Sequence, residues 1–157
     1  VQYEVSNFSR KGNKSRNNLL VWSGKQYLGF GAGAHSYYKK TRKGNIGSVK
    51  TYINHLKKNS LPIEFEEQLS SDQLALEFLM LGLRKSEGVN LQGWIERFEL
   101  EWSSLEELYV NTLYEQGHAV KKDDHFCLTP KGMLLADRIT VGMMPSNSSD
   151  KTIKLLF

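Results

Sequence analysis

Apolar residues recur at helical spacing through the second half of the chain. The Ser70-x-x-Gln73 pattern predicts a capped helix that runs to about Arg84. This segment is apolar on nearly every face, so we expect it to be the buried central helix of this half. A short second helix is predicted from Leu91 to Phe98.

A third helix and a hairpin follow. The Ser104-x-x-Glu107 pattern predicts another capped helix that ends at Gly117. Its predicted buried residues are Leu105, Leu108, Tyr109, Thr112 and Leu113. Residues 119–120, a Lys-Lys-Asp-Asp turn at 121–124 and residues 125–128 then predict a β-hairpin. Thr129 and Pro130 predict the start of a last helix, since proline is favoured in the first turn.

The first half is predicted to hold strands, loops and one helix. Short β-prone runs cover 2–7, 17–22 and 27–30. Ser48 predicts the N-cap of a helix whose apolar residues Val49, Tyr52, Ile53 and Leu56 share one face. The fold class is therefore α+β. Three helices, a hairpin and a closing helix in the second half indicate a winged-helix-like module.

Charge changes sign along the chain. Residues 1–58 hold 12 Lys and Arg against one acid, whereas 59–157 hold 9 against 16. Such a change favours a domain boundary, so we predict domains at 1–60 and 61–144 and a flexible tail at 145–157. The basic half would attract tetrapyrrole carboxylates, phosphates or an anionic membrane surface. The simpler interpretation is that Lys39, Lys40, Arg42 and Lys43 form a solvated loop whose acidic partners lie outside this chain.

Composition excludes several classes of protein. Apolar residues make up 39% of the chain, with no apolar run of membrane-spanning length and no signal peptide. The single cysteine, Cys127, allows no disulfide framework and fits a reducing cytoplasm. Residues 98–117 carry five glutamates and no Lys or Arg, which disfavours a nucleic-acid partner.

The segment 27–36 is the first candidate site. Gly29, Gly31 and Gly33 stand at alternate positions just before His35 and Ser36. Glycines leave room for a ligand or another backbone to come close, because no Cβ stands in the way. A glycine-rich strand end with a packed histidine is an equal alternative.

Several blocks of sequence also carry a family resemblance. They are Tyr3-Glu-Val-Ser-Asn-Phe8, Arg16-Asn-Asn18 with Trp22, Tyr27-Leu-Gly-Phe-Gly-Ala-Gly-Ala-His-Ser36, Glu77-Phe-Leu-Met-Leu-Gly-Leu-Arg84, Glu87-Gly-Val89 and Leu128-Thr-Pro-Lys-Gly-Met-Leu-Leu-Ala-Asp137. In this order they resemble the oxygen-independent coproporphyrinogen III oxidase family of radical SAM proteins, on the side of the HemW-like haem chaperones. The resemblance implies the last strands of a partial (β/α) barrel followed by the family's C-terminal domain.

The resemblance also implies cofactors. Its members use S-adenosylmethionine and a [4Fe–4S] cluster held by cysteines spaced C-x-x-x-C-x-x-C. With one cysteine, this chain is expected to be a C-terminal fragment that holds no metal, has no catalytic residue and is inert alone. The resemblance places Gly29, Gly31, Gly33, Ala34 and His35 on the S-adenosylmethionine side.

A second implied site concerns haem. The branch motif H-N-x-x-Y-W is associated with haem binding, and Asn18 and Trp22 match it. Asn17 and Val21 replace its histidine and tyrosine, so axial ligation of haem iron from this motif is not expected. His125 and Cys127 alone are a weak metal signal.

The sequence is compatible with three functions. The first is the C-terminal part of a HemW-like haem chaperone, which closes the cofactor and tetrapyrrole site; its partners would be haem, its own N-terminal barrel and haem-receiving proteins. The second is an oxygen-independent coproporphyrinogen III oxidase, an oxidoreductase of porphyrin biosynthesis. The third is a winged-helix interaction or nucleic-acid module, which the acidic third helix disfavours.

Overall fold

The structure, a computed structural model, describes residues 1–145 of the chain. The predicted tail at 145–157 lies outside the described residues, apart from Pro145. Two compact units are present. We call Val1–Gly24 together with the described residues from Ser71 onward the larger unit, and Lys25–Ser70 the smaller unit. These limits differ from the predicted division at residues 60 and 61.

Helices and strands alternate along the described chain. In order they are α1 (Arg16–Trp22), β1 (His35–Tyr38), β2 (Thr41–Asn45), α2 (Val49–Lys57), β3 (Ile63–Gln68), α3 (Ser71–Leu83), α4 (Leu91–Phe98), α5 (Ser104–Glu115), β4 (Ala119–Lys122), β5 (His125–Leu128), α6 (Pro130–Met133) and α7 (Ala136–Gly142). This confirms the predicted mixture of helices and strands. None of these helices is long and apolar enough to cross a membrane.

Helix α3 is the centre of the larger unit, as predicted. It packs against α4, α7 and β5. Leu79 and Leu83 are fully buried in the core, and so is Ala75. The indole N–H of Trp94 on α4 donates a hydrogen bond of 2.9 Å to the Ala75 carbonyl oxygen. Because that side chain is itself buried, α3 and α4 are joined by both apolar contact and a polar anchor.

Helix α5 differs from its prediction in both cap and buried face. Its N-cap is Ser103, whose N–H donates to the Glu106 carboxylate at 2.9 Å in a capping box. Leu105 and Leu108 are 67% and 63% exposed, so their predicted burial is wrong. The buried face holds Glu106, Val110 and Leu113. Because the capping bonds satisfy the Glu106 carboxylate, this charged residue can lie on the buried side of the helix. The hydrophobic pattern alone would predict that it faces solvent.

The predicted hairpin and its closing helix are confirmed. Strands β4 and β5 pair antiparallel from Ala119 with Leu128 to Lys122 with His125. The Thr129 hydroxyl accepts from the Gly132 N–H at 3.2 Å and caps α6, with proline in its first turn. A further short helix, α7, follows where a single last helix is predicted. The winged-helix assignment stays a prediction.

The smaller unit contains an antiparallel sheet in the order β1-β2-β3. Its β1–β2 turn is formed by Lys39 and Lys40, both at positive φ. Arg42 and Lys43 lie on β2 rather than in a loop, and they face Glu67 at 3.9 Å and Glu66 at 3.1 Å on β3. The expectation that their acidic partners lie outside the chain is therefore wrong. Glutamates some 25 residues further along neutralise them only once the strands pair.

The predicted helix with its Ser48 cap is confirmed as α2. Its apolar residues Val49, Ile53 and Leu56 remain 63%, 44% and 47% exposed. The predicted apolar face of α2 is therefore present, but no described residues bury it.

Three predicted strands are absent from the described structure. Residues 17–22 form helix α1, because the Ser15 side chain accepts from the Asn18 N–H at 3.3 Å and caps it. Residues 2–7 and 27–30 form isolated bridges instead of regular strands: Gln2 with Phe8, Glu4 with Lys85 and Tyr27 with Tyr37. A β-prone run of a few residues becomes a strand only where a neighbouring strand supplies its hydrogen bonds.

Candidate functional site

The glycine-rich segment lies in the smaller unit and is held by hydrogen bonds. The Gly29 N–H donates to the Ser36 hydroxyl at 2.9 Å, and the Gly31 N–H donates to the Tyr52 hydroxyl of α2 at 3.2 Å. The Asn45 side-chain amide donates to the Gly31 carbonyl oxygen at 2.9 Å. These bonds attach the segment to both α2 and β2.

The three glycines have different roles. A Cβ on Gly29 would lie 2.1 Å from the His35 carbonyl oxygen, so this glycine makes room for the chain's own backbone. Gly31 and Gly33 have φ of +106° and +69°, with open space around Gly31 and only Gly47 near Gly33. Side chains other than glycine are strained at such φ. Of the three glycines, Gly31 and Gly33 therefore have free space where a Cβ would stand, and Gly29 does not.

His35 begins strand β1 and is exposed. It pairs with Gly44 of β2, and its ring lies 5.6 Å from that of Phe65 on β3. The same Phe65 ring occupies the space that a Cβ on Gly44 would need. His35 is thus a strand-end histidine packed on an aromatic ring, with its remaining surface open.

Replacing Gly29 with alanine should destabilise the smaller unit by about 1–3 kcal/mol, the usual cost of overpacking. The Gly47→Ala variant is the matched control, because nothing lies within 4 Å of its added Cβ and its φ is not positive. Thermal denaturation of both variants, followed by circular dichroism, measures the difference. Equal melting temperatures would show that the close approach of Gly29 to His35 does not limit the stability of the smaller unit.

Asn18 and Trp22 both lie on α1, in the larger unit. Asn18 is half-buried, and its N–H takes part in the helix cap. Trp22 is half-buried, with the Arg84 guanidinium 5.6 Å from its ring centre. Arg84 is held in turn by Asp137 at 2.8 Å. Trp22 lines the cleft described next, whereas Asn18 is not among its lining residues.

A cleft opens beside Trp22. It has a volume of about 440 Å³, which is within the range of pockets for small molecules. We call it the Trp22 cleft; it is lined by Trp22, Ser23, Gly24, Phe78, Gly82, Lys85, Gly88, Val89, Asn90, Gly93, Trp94, Arg97 and His125. Aromatic walls and cationic side chains make it suited to a flat anionic molecule.

Two of these cations, Lys85 and Arg97, were not singled out from the sequence. The Arg97 guanidinium lies 4.9 Å from the Phe78 ring centre and 5.3 Å from that of Phe98. Lys85 lies two residues after the end of α3, and its backbone bridges to Glu4. The sequence feature that could have indicated Arg97 is its position three residues after Trp94 on an amphipathic helix.

The Tyr3-to-Phe8 block has a structural role. The Glu4 side chain is fully buried and accepts hydrogen bonds from the Ser6 N–H at 3.1 Å and from the Asn7 side-chain amide. The Val5 N–H donates to the Arg84 carbonyl oxygen at 2.9 Å. This block therefore packs against the end of α3, next to the Arg84 that stacks on Trp22.

His125 and Cys127 lie in different surroundings. Cys127 is buried, and its thiol donates to the Glu87 carbonyl oxygen at 3.3 Å, whereas His125 is exposed. Burial raises the pKa of the Cys127 thiol, which disfavours the thiolate that binds metals. No cluster of three metal-binding side chains occurs in residues 1–145. With its single cysteine, the chain does not fit a [4Fe–4S] cluster.

Comparison with known proteins places these features in a family. Residues 69–135 match the family described as "HemN C-terminal domain". The haem chaperone HemW of Bacillus subtilis is 36% identical over 138 residues, or 88% of this chain, and HemW of Mycobacterium tuberculosis is 36% identical over 139 residues, or 87%. The chain belongs to the HemN and HemW family. It spans 36% and 33% of the length of these two HemW proteins.

A solved structure supports the same fold. Coproporphyrinogen III oxidase (HemN) from Escherichia coli, a radical SAM enzyme, superposes with a TM-score of 0.60 at 16% identity. The match covers 76% of this chain and 28% of the HemN chain. The HemN C-terminal domain match includes the residues of the Trp22 cleft from Phe78 to His125, while Trp22 and the glycine-rich segment precede it. The family resemblance stated from the sequence motifs is thereby confirmed.

Proposed function

We propose that this chain is the C-terminal third of a HemW-like haem chaperone and that it takes part in holding haem. The 36% identity to Bacillus subtilis HemW over 88% of the chain carries the proposal. The Trp22 cleft supports it independently, because a tetrapyrrole is flat, largely apolar and carries carboxylates, and this cleft has aromatic walls with cations around them.

The same proposal assigns a role to the smaller unit. It would be the last part of a radical SAM barrel, and the helices and hairpin after Ser71 would form a winged-helix-like domain. S-adenosylmethionine, which supplies a radical when reduced by an iron–sulfur cluster, would approach the backbone at Gly31 and Gly33, where positive φ leaves space. Ala34 and His35 would continue that surface. Gly29 would not face the ligand, because the His35 carbonyl oxygen fills the space where its Cβ would stand.

Haem and haem-receiving proteins are the partners we propose. Arg42 and Lys43 are paired with glutamates, which weakens attraction to an anionic membrane. An oxidase acting on coproporphyrinogen is less favoured, since the likeness to HemN is at 16% identity and concerns the fold. A nucleic-acid module is disfavoured by the exposed glutamates of α5, such as Glu107 and Glu115.

Hemin should bind this chain with saturation near one equivalent. Titration followed in the Soret band measures it. Trp22→Leu should weaken binding about two- to tenfold, the usual contribution of an aromatic contact, because Trp22 forms one wall of the cleft. Tyr38→Leu is the control, since it replaces a 48% exposed aromatic residue of the smaller unit. Hemin absorbance that rises linearly without saturation would contradict the proposed function.

A further inference from the structure

We infer that His125 is the axial ligand of haem iron in this chain, and that Arg97 and Lys85 bind the haem carboxylates in the Trp22 cleft. The inference rests on the proposed function. It replaces the histidine that the branch motif has at the position of Asn17 with one from the β4–β5 hairpin.

The distribution of histidines points to His125. The chain has four. His35 and His55 belong to the smaller unit, and His118 follows α5 with its Nδ1 buried. His125 is the one that lines the Trp22 cleft. The asparagine and valine at positions 17 and 21 supply neither imidazole nor phenolate, the side chains that ligate haem iron in proteins.

The backbone around His125 is held firmly beside the cleft. His125 pairs with Lys122 in the hairpin. The next residue, Phe126, exchanges two hydrogen bonds with Val89, of 3.0 Å and 2.8 Å. Val89 itself lines the cleft. A ligand on such a braced strand loses little freedom on binding, which favours coordination.

The charges around the cleft suit a dicarboxylate. Within residues 1–145, neither Arg97 nor Lys85 forms an ion pair. One acid near these groups is Glu87, whose carboxylate is 2.7 Å from the Lys14 ammonium. That hydrogen bond is the largest cause of the lowered pKa of Glu87, and the charges of Lys14, Lys85 and His125 lower the pKa further. Arg97 has its guanidinium 4.9 Å from the Phe78 ring centre. This planar group can bind a carboxylate with two parallel hydrogen bonds.

Axial ligation is tested with hemin and the variants His125→Ala and His55→Ala. His125→Ala should shift the Soret band of bound hemin and lower its affinity at least about tenfold, the order seen when support of a metal site is lost. Added imidazole should restore the wild-type spectrum in His125→Ala. His55→Ala, which removes an imidazole from the smaller unit, should match the wild type.

Carboxylate binding is tested with metal-free protoporphyrin IX, whose fluorescence reports binding without an iron ligand. His125→Ala should weaken binding of this probe much less than it weakens binding of hemin, because the probe has no iron for His125 to ligate. Arg97→Gln should weaken it about ten- to hundredfold, as expected for a lost charged hydrogen bond, and Lys85→Gln should weaken it too. Arg138→Gln, at an exposed arginine of α7, is the matched control.

The outcomes separate the two proposals. If hemin fails to saturate the wild-type chain, the proposed function falls. If hemin saturates but His125→Ala has the wild-type spectrum and affinity, the axial role of His125 is wrong. If Arg97→Gln and Arg138→Gln bind protoporphyrin IX equally well, the carboxylate role of Arg97 is wrong. Circular dichroism of each variant confirms that it is folded, so that lost binding reports the site.

Discussion

Replacing Trp94 with alanine should lower the free energy of unfolding of the larger unit by about 3–5 kcal/mol, the range for large-to-small changes in a packed core. Trp94 is 1% exposed, and its ring meets that of Trp102 edge-on at 5.8 Å. Its indole N–H also holds the Ala75 carbonyl at 2.9 Å. The substitution removes apolar contact and the polar anchor between α3 and α4 together. Denaturant unfolding followed by far-ultraviolet circular dichroism measures the loss.

Leu105→Ala is the control for this measurement. Leu105 is 67% exposed on α5, so its truncation should change the stability by no more than about 0.5 kcal/mol. The pair therefore also tests the orientation of α5, because the sequence pattern predicts Leu105 to be buried. A large loss in Leu105→Ala, or a small one in Trp94→Ala, would contradict the core described above.

Replacing Gly88 with alanine should destabilise the larger unit by about 2–5 kcal/mol. Of this, about 1–2 kcal/mol comes from a left-handed backbone and about 1–3 kcal/mol from overpacking. Gly88 has φ of +68°, and a Cβ there would lie 2.1 Å from the Phe126 carbonyl oxygen and 2.8 Å from the Cys127 sulfur. That same carbonyl accepts the Val89 N–H, so the clash loosens the joint that holds β5 beside the Trp22 cleft.

Gly117→Ala separates the two contributions. Gly117 has a similar φ of +70°, but nothing lies within 4 Å of an added Cβ. Its alanine variant should cost only the backbone term, about 1–2 kcal/mol. Thermal or denaturant unfolding of both variants gives the difference. If Gly88→Ala is no worse than Gly117→Ala, the close contact between Gly88 and Phe126 does not constrain the hairpin.

Features that depend on residues three or four apart were predictable from sequence. Ser48 caps α2 and Thr129 caps α6 as predicted, because a side-chain oxygen and the backbone N–H it accepts from are close in sequence. The two-residue turn at Asp123 and Asp124 follows from local backbone preference, with Asp123 at φ of 51°. Helix α3, apolar nearly all round, could only be stable in a core.

The candidate site was predictable in part. Sequence motifs single out Trp22 and the residues from Gly31 to His35 as candidates, but they do not single out Lys85 and Arg97. Their association with Trp22 joins residues more than 60 positions apart, and no local pattern carries that information. The role of Gly29 likewise depends on its close approach to the His35 backbone, which is visible only in the folded structure.

The sequence by itself determined the family resemblance, helices α2 to α5, the hairpin, and the lack of cysteines for a cluster. Tertiary structure decided which faces are buried and which charges are paired. Glu106 lies on the core side because its cap satisfies it, and Arg42 is neutralised because β3 returns beside β2. Such outcomes depend on desolvation and on partners distant in sequence, and these are set when the elements pack together.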